Sequence, residues 1–333
     1  MKNKVELPFS EPPLKTYHQH MTVGVCLYGN PTLWNWYLNQ STNLSCNKRF
    51  LAGFTTPNMN IENVIYHDCP YLDKWWYPMK FAKGYINQII REFLDAGYYV
   101  YFHGVDDYYL ENKSFYGERH YDHDGIIFGY DQEKKTYNIY AYDSNWVCNK
   151  LVVSQKSFSK GREAMFSEGS YGNIFGIKPM DDNIEFDVQK ALDGIEEYLD
   201  SSLEKYPPAP SGMVYGIVVQ EYLVMYFDKL IDGFIPHDKM DWRVMRLLWE
   251  HKKLMLARIK KIEQTLNFPN SFSTKYEAIE KEVNALRMSY ATYSLRKRDK
   301  ILVNICERLK VLSVEEKEIL KALLNKTKGI IAV

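Results

Sequence analysis

The 333-residue chain is predicted to be an α+β protein, an antiparallel sheet region followed by an all-helical region. Three observations predict this. Up to about residue 178, one amphipathic helix is followed by short apolar or alternating runs typical of strands. Two of these runs flank a polar turn, as in an antiparallel hairpin. After Pro179 the apolar residues recur at helical spacing. We therefore predict two domains, 1–180 and 181–333.

The elements of the first domain follow from local patterns. A short helical or turn-rich stretch is expected over 22–28, and Pro31 can begin a helix. A helix over 82–96, ending at Gly97, is predicted from apolar residues at i, i+3, i+4, i+7 and i+8, namely Ile86, Ile89, Ile90, Phe93 and Leu94. Strands are predicted at 98–102, 126–128, 137–142, 150–153 and 173–177.

The second domain is predicted to contain six helices, over 185–203, 213–231, 240–265, 274–295, 299–311 and 314–327. Ser313 and Glu316 have the spacing of a capping box, which separates the last two helices. The loop LEKYPPAPSG, residues 203–212, separates the first helix from the rest.

Composition excludes several classes of protein. Apolar residues make up 46% and charged residues 25%, and the net charge is zero, so there is no global electrostatic case for nucleic acid or an anionic membrane. No signal-peptide core or 18-residue apolar run occurs, and we expect a cytoplasmic protein. Five cysteines without CxxC spacing predict neither a disulfide framework nor a zinc ribbon.

The stretch HYDHDGIIFGYDQEKKTYNIYAYD, residues 120–143, carries the clearest chemical signal. His123 enters the first strand of the predicted hairpin and Asp143 leaves the second. In an antiparallel pair those ends lie side by side. A carboxylate there can fix the histidine tautomer while the imidazole serves a nucleophile.

Three segments extend this reading: CPYLDKWW, INQIIREFLDAGYYVYF and HDGIIFGYDQEKKTYNIYAYD. In this order they resemble the N-terminal domain of the butirosin biosynthesis protein H-like family. The segment DWRVMRLLWEHKKLMLARI resembles the helical part that follows it in such proteins.

The resemblance implies a papain-like fold for residues 1–180. It also implies an acyl or peptidyl transferase of thiotemplated natural-product biosynthesis, as in antibiotic and nonribosomal peptide pathways. Such an enzyme moves an acyl group from a carrier protein's phosphopantetheine thioester to a small amine, through a Cys-His-Asp covalent mechanism. The implied partners are a carrier protein and the amine, with no cofactor bound by the protein itself, no nucleic acid and no membrane.

Active relatives are expected to have their cysteine at the start of the first helix. Cys26 is the cysteine in that region, and Gln19, seven residues upstream, is close to the spacing of an oxyanion-hole glutamine. The predicted catalytic set is therefore Cys26, His123, Asp143 and Gln19. Gly29-Asn30-Pro31 follows too soon for a long helix beginning at Cys26, and Cys69 is the alternative nucleophile.

Other interpretations stay open. The chain could be a cysteine peptidase or amidase with water as acceptor, or a papain-like binding module without catalysis. Asp143 could cap its loop, with Asn145 as third member of the site. A zinc or manganese site is a further alternative, with His103, His120, Asp122, His123 and Asp124 as ligands. The HxxH spacing on an extended segment argues against it, because the two side chains point to opposite faces.

Two groups of surface residues are predicted to contact partners. An acidic carrier would dock on basic clusters beside the cleft between the domains, either at Arg246, Lys252, Lys253, Arg258, Lys260 and Lys261 or at Arg296, Lys297 and Arg298. The aromatic residues Trp34, Trp36, Trp75, Trp76 and Tyr77 are interpreted as core or interface, with a substrate cleft as the alternative.

Overall fold

A computed structural model describes residues 2–40, 43–53, 56–62, 67, 69–78, 81–167, 173–201 and 212–331. The chain divides into two compact units. The first comprises Met1–Trp34 and Ile65–Asn183, and the second comprises Asn35–Val64 and Ile184–Val333. The chain passes from one unit to the other three times, and the boundary predicted at residue 180 lies close to the last passage, after Asn183, whereas the prediction assigns residues 35–64 to the first domain.

The first unit contains an antiparallel sheet with the strand order β4-β9-β5-β6-β7-β8, in which β1 pairs with the end of β6. The strands are β1 Lys4–Glu6, β4 Leu72–Pro78, β5 Tyr99–Asp106, β6 Asp122–Asp131, β7 Thr136–Tyr142, β8 Cys148–Ser154 and β9 Asn173–Pro179. The predicted hairpin is confirmed as β6 and β7, with Ile127 opposite Ile139. An α+β arrangement with a helical C-terminal part is therefore present.

The described residues of this half of the chain form the α-helices α1 His18–Leu27, α2 Pro31–Asn39, α3 Ile86–Asp95 and α4 Gln155–Ser167. Pro31 begins α2 as predicted, and α3 lies within the predicted 82–96. The buried face of α3, with Ile86, Ile90 and Leu94, shares a core with the apolar residues of β5, β6 and β7. A Cβ on Gly176 of β9 would lie 2.4 Å from the Phe93 ring, so α3 approaches the sheet as closely as a glycine allows.

The second unit is mainly helical, with α5 Val188–Asp200, α6 Val219–Ile231, α7 Val244–Thr265, α8 Ser271–Arg296 and α9 Asp299–Ile331. A small antiparallel sheet adds β2 Leu44–Asn47, β3 Asn60–Ile61 and β10 Met213–Tyr215, in the order β10-β2-β3. The predicted helix start at 213 is wrong, because Met213 pairs with Asn47. Except for Gly212, the predicted loop 203–212 lies outside the described residues.

The predicted capping box is also wrong. Ser313 and Glu316 lie inside α9, which is one continuous helix, and the Glu316 side chain is fully buried. Its carboxylate binds Lys252 Nζ at 2.7 and 2.8 Å. Further donors are Gln220 Nε2 at 2.7 Å, Tyr276 OH at 2.5 Å and Tyr198 OH at 3.3 Å. The residue interpreted as a helix cap is thus the centre of a buried polar network.

A second buried cation ties the early segment into this unit. Arg258 of α7 is fully buried, and its guanidinium donates to the carbonyl oxygens of Leu38, at 2.8 Å, and Gln40. Burial lowers its pKa, to about 9. Lys252 and Arg258, two of the six residues in the first basic cluster predicted for carrier docking, are therefore inside the unit, whereas Lys260 of the same cluster is exposed. Arg296, Lys297 and Arg298 are exposed.

Among the described helices, none combines the length and the hydropathy needed to cross a bilayer.

Candidate functional site

The site is built around His123, near the start of β6. His123 pairs in register with Val105 of β5, across an irregularity between Phe102 and Val105. Gly104 lies in that irregularity with φ +66°, and a Cβ there would lie 2.8 Å from the Asp122 carboxylate. The bulge therefore needs glycine, and beyond it β5 ends at Asp106, directly before Asp107, which contacts His123.

The carboxylate that pairs with His123 is Asp107. Asp107 Oδ2 lies 3.0 Å from His123 Nδ1, and the two side chains are 1% and 14% exposed. Asp107 begins the 3-10 helix Asp107–Tyr109, directly after β5. A buried carboxylate at this distance orients an imidazole and favours the tautomer with hydrogen on Nδ1.

A buried lysine shares this pair. Lys113 Nζ lies 3.3 Å from His123 Nδ1 and 3.5 Å from Asp107 Oδ1, and it donates to the Tyr142 carbonyl oxygen at 2.6 Å. Burial lowers the pKa of Lys113, and Asp107 opposes that shift in part. The His123–Asp107 pair is therefore a Lys–Asp–His cluster, in which a cation stands beside the imidazole.

His18, the first residue of α1, faces this cluster. Its ring centroid is 5.0 Å from that of His123 and 5.3 Å from that of Tyr142. Burial lowers the pKa of His18 to about 3, helped by the neighbouring His123 and Lys113, so the imidazole is neutral near pH 7. His18 Nε2 is buried and has no hydrogen-bond partner within the described part of the chain.

Aromatic rings complete the surroundings of His123. Tyr142 is stacked on the imidazole, with centroids 5.9 Å apart and an interplanar angle of 8°. Tyr121 and Trp146 lie at 5.5 and 5.7 Å, and both are partly exposed. The imidazole is therefore held between flat apolar surfaces that can also contact a ligand.

Cys26 is not brought to this cluster. It lies in the last turn of α1, eight residues after His18, or about 12 Å farther along the helix axis at 1.5 Å per residue. The thiol is buried, and burial raises its pKa, with a further contribution from Cys69. A thiol that resists ionisation at the carboxyl end of a helix lacks both features of an activated nucleophile.

The other predicted residues have separate positions. Gln19 is half-buried in the first turn of α1, about 10 Å along the axis from Cys26. Cys69, the alternative nucleophile, is fully buried near Cys26. All five cysteines are buried, and none of them forms a disulfide.

Asp143 closes its own loop. Its carboxylate accepts from the backbone N–H groups of Asn145, at 2.8 Å, and Val147, at 2.9 Å, and from Asn149 Nδ2 at 2.8 Å. Burial opposes ionisation, but these hydrogen bonds prevail, so the pKa of Asp143 is lowered. The prediction that Asp143 orients His123 is thus corrected, because Asp107 holds that position. Asn145 is a turn residue in the same loop.

The residues proposed as metal ligands form pairs instead of a cluster. His103 Nδ1 lies 3.2 Å from Asp124 Oδ2, and His120 Nδ1 lies 2.5 Å from Asp106 Oδ2. Asp124 also accepts from Tyr101 OH and the Gly104 N–H, and its pKa is lowered although burial alone would raise it. Within the described ranges, no three His, Cys, Asp or Glu side chains are grouped so that they could hold a metal ion.

Sequence reasoning missed Asp107, Lys113 and His18. The sequence VDDYY offered a signal for the first, since its paired acids lie a few residues beyond the strand predicted at 98–102. For Lys113 and His18 there was no comparable signal, because both meet His123 only through the tertiary fold. Comparison with known proteins adds no further assignment, since no family model and no curated protein matches the chain.

Proposed function

We propose that the first unit is a papain-like domain that binds acyl groups presented as carrier-protein thioesters and that does not form an acyl-cysteine. One observation carries this proposal. The start of α1, where an active relative would place its cysteine, holds the neutral His18 against His123. Cys26, the cysteine of that helix, is buried about 12 Å farther along the axis with a raised pKa.

The cluster has features that suit a polar acyl ligand between apolar surfaces. His18 Nε2 is buried without a partner in the described chain, so the proposal requires the groups that cover it to move and let a carbonyl or thioester oxygen accept its hydrogen. Tyr121 and Trp146 supply partly exposed aromatic surface beside His123. Desolvating such groups without a partner is costly, so a ligand that pairs with them gains affinity.

The experiment uses acyl-pantetheine thioesters as probes. Binding is measured by calorimetry with the full chain, with Cys26→Ser and with His18→Phe. We expect Cys26→Ser to bind as the wild type does and His18→Phe to bind at least about tenfold more weakly, a loss of about 1.4 kcal/mol. An acyl adduct on Cys26 in intact-mass spectra would overturn the proposal, as would the absence of binding to any acyl thioester.

A second function, acyl transfer without a covalent intermediate, is favoured by the 3.0 Å pairing of Asp107 with His123. In that mechanism His123 Nε2 takes a proton from an amine, whose nitrogen attacks the thioester carbonyl. The C–S bond breaks, and the leaving thiolate receives the proton, giving an amide and free pantetheine. In this step Lys113 Nζ stands 3.3 Å from the same nitrogen, Nδ1, that Asp107 contacts.

Product analysis separates the two functions. With an acyl-pantetheine thioester and a primary amine, transfer predicts an amide that appears faster than without protein, and His123→Ala removes the acceleration. Release of the free acid, whatever amine is added, indicates a hydrolase with water as acceptor. Binding without turnover indicates the non-catalytic function.

The proposed carrier contact now rests on Arg296, Lys297 and Arg298, which are exposed at the junction of α8 and α9. Acidic carrier helices would be attracted to these charges. Reversing two of them should weaken binding of an acylated carrier protein and leave binding of acyl-pantetheine unchanged. Equal loss with both ligands would indicate a structural role.

A further inference from the structure

Strand β4 lies at the edge of the sheet of the first unit and exposes large aromatic side chains. Among the described strands it pairs only with β9. Trp75, Trp76 and Tyr77 are 60%, 63% and 37% exposed. Successive residues of a strand point to opposite faces, so apolar surface is exposed on both faces of this edge.

The charged residues of β4 do not protect the edge. Edge strands commonly use charges, especially lysine, to discourage pairing with other chains. Here Asp73 accepts a hydrogen bond from Tyr98 OH, directly before β5. Lys74 Nζ donates to the carbonyl oxygens of Cys69, at 2.8 Å, and His67, at 3.1 Å. Both side chains are therefore engaged within the unit.

We propose that β4 pairs with β4 of a second copy of this chain, antiparallel about a twofold axis. A twofold axis at a strand edge brings the same strand from each copy together in opposite directions. The outward N–H and C=O groups of β4 then find partners, and the tryptophans of the two copies cover each other on both faces of the continuous sheet.

The available area fits a stable dimer. Covering a large aromatic side chain buries about 150–250 Å², so the exposed parts of Trp75, Trp76 and Tyr77 offer roughly 400 Å² at the upper value. Phe81, three residues beyond β4, has its Cα within about 11 Å of the strand's end. Tyr85 turns back to Ala82, with an N–H···O distance of 2.8 Å. Both are as exposed as the tryptophans. At the same upper value they raise the total to roughly 1,400 Å² for two copies, within the range of standard stable interfaces.

A membrane surface is the competing occupant, because tryptophan and tyrosine also favour lipid interfaces. The backbone of β4 argues against lipid. An edge strand presents unpaired N–H and C=O groups, and hydrocarbon offers them no hydrogen-bond partner, at a cost of several kcal/mol for each group. A second strand satisfies the same groups.

The experiment is sedimentation velocity of the full chain over a range of concentrations, with Trp75→Lys, Trp76→Lys and the control Trp242→Lys. Trp242 is also partly exposed and belongs to the second unit. Circular dichroism checks folding, and either β4 variant suffices if the other misfolds. We expect the wild type and Trp242→Lys to dimerise, and the β4 variants to dissociate with a constant raised about a hundredfold, since each copy loses a buried tryptophan.

Three outcomes would overturn the proposal. A wild type that remains monomeric at all concentrations removes the second copy as occupant. A dimer unchanged in both β4 variants places the interface elsewhere. A monomer that pellets with phosphatidylcholine–phosphatidylserine vesicles, and loses this binding in the β4 variants, assigns the surface to a membrane.

Discussion

The buried Lys252–Glu316 pair gives a sharp test of what stabilises the helical unit. Both side chains are fully buried, and the carboxylate accepts from Lys252, Gln220, Tyr276 and Tyr198. Burial lowers the pKa of Lys252, and Glu316 counteracts the shift in part. Lys252→Met removes the cation and leaves the charge of Glu316 with neutral donors only.

Breaking a buried pair from one side costs about 3–5 kcal/mol, because the remaining charge is uncompensated. Total domain stability is about 5–15 kcal/mol, so the loss is large. The double variant Lys252→Met/Glu316→Gln has no buried charge in this pair. We therefore expect the double variant to be more stable than the sum of the single changes predicts, by about 2–4 kcal/mol.

Urea unfolding followed by circular dichroism at 222 nm measures these differences. The control is Lys281→Met in α8, which breaks a 2.8 Å ion pair with Glu277. The Lys281 side chain is 71% exposed and the Glu277 side chain is 37% exposed. Exposed pairs contribute about 0–1 kcal/mol. The reasoning is refuted if Lys252→Met costs no more than Lys281→Met, or if the single changes are additive.

Three further predictions concern the first unit. The pKa of His18 falls from 6.5 to about 3 on folding. The free energy of unfolding should therefore fall as the pH drops below about 6.5, by up to about 1.4 kcal/mol per pH unit. Parallel plots of this free energy against pH for His18→Asn and the wild type, between pH 5 and 7, would contradict this. Asp107→Asn should destabilise the fold by about 3–5 kcal/mol, because it leaves Lys113 buried without its carboxylate. Asp143→Asn in the exposed loop should cost about 1 kcal/mol. Urea unfolding measures both. Gly129→Ala places a Cβ 2.6 Å from a carbonyl oxygen of β1. It should lower stability by about 1–3 kcal/mol and increase amide hydrogen exchange in β1. Unchanged exchange would show that the strand accommodates the methyl group.

The elements with strong periodicity could be predicted from the sequence. Helix α3 and the hairpin β6–β7 carry apolar residues at the spacing of their own structure, and both are present. Strand β4 was missed because its aromatic residues are exposed on both faces and do not alternate with polar ones. The short strands β2, β3 and β10 were missed because a strand of two to four residues gives no period to detect.

The candidate site could be predicted only in part. His123 was located because the strand pattern around it was clear, but its partner required knowledge of a bulge at Gly104 that a linear pattern does not contain. Asp143 was expected beside His123 from an idealised hairpin, whereas the local amides of its loop satisfy it. The capping-box pattern at Ser313 failed for a related reason, because Glu316 finds stronger donors across the bundle than at a helix start.

The division of the helical unit between two chain segments has a consequence for synthesis on the ribosome. Strand β2 is made early, yet its partner β10 follows roughly 170 residues later. Most of the helical unit is also made late, including Arg258, which binds the carbonyl oxygens of Leu38 and Gln40. At translation rates of about 5–20 residues per second, β2 waits roughly 10–30 s for that partner. During this interval β3 can pair with one edge of β2, whereas the edge that binds β10 stays open to chaperones. We therefore expect folding yield in cells to depend on chaperones more than refolding of the purified chain does.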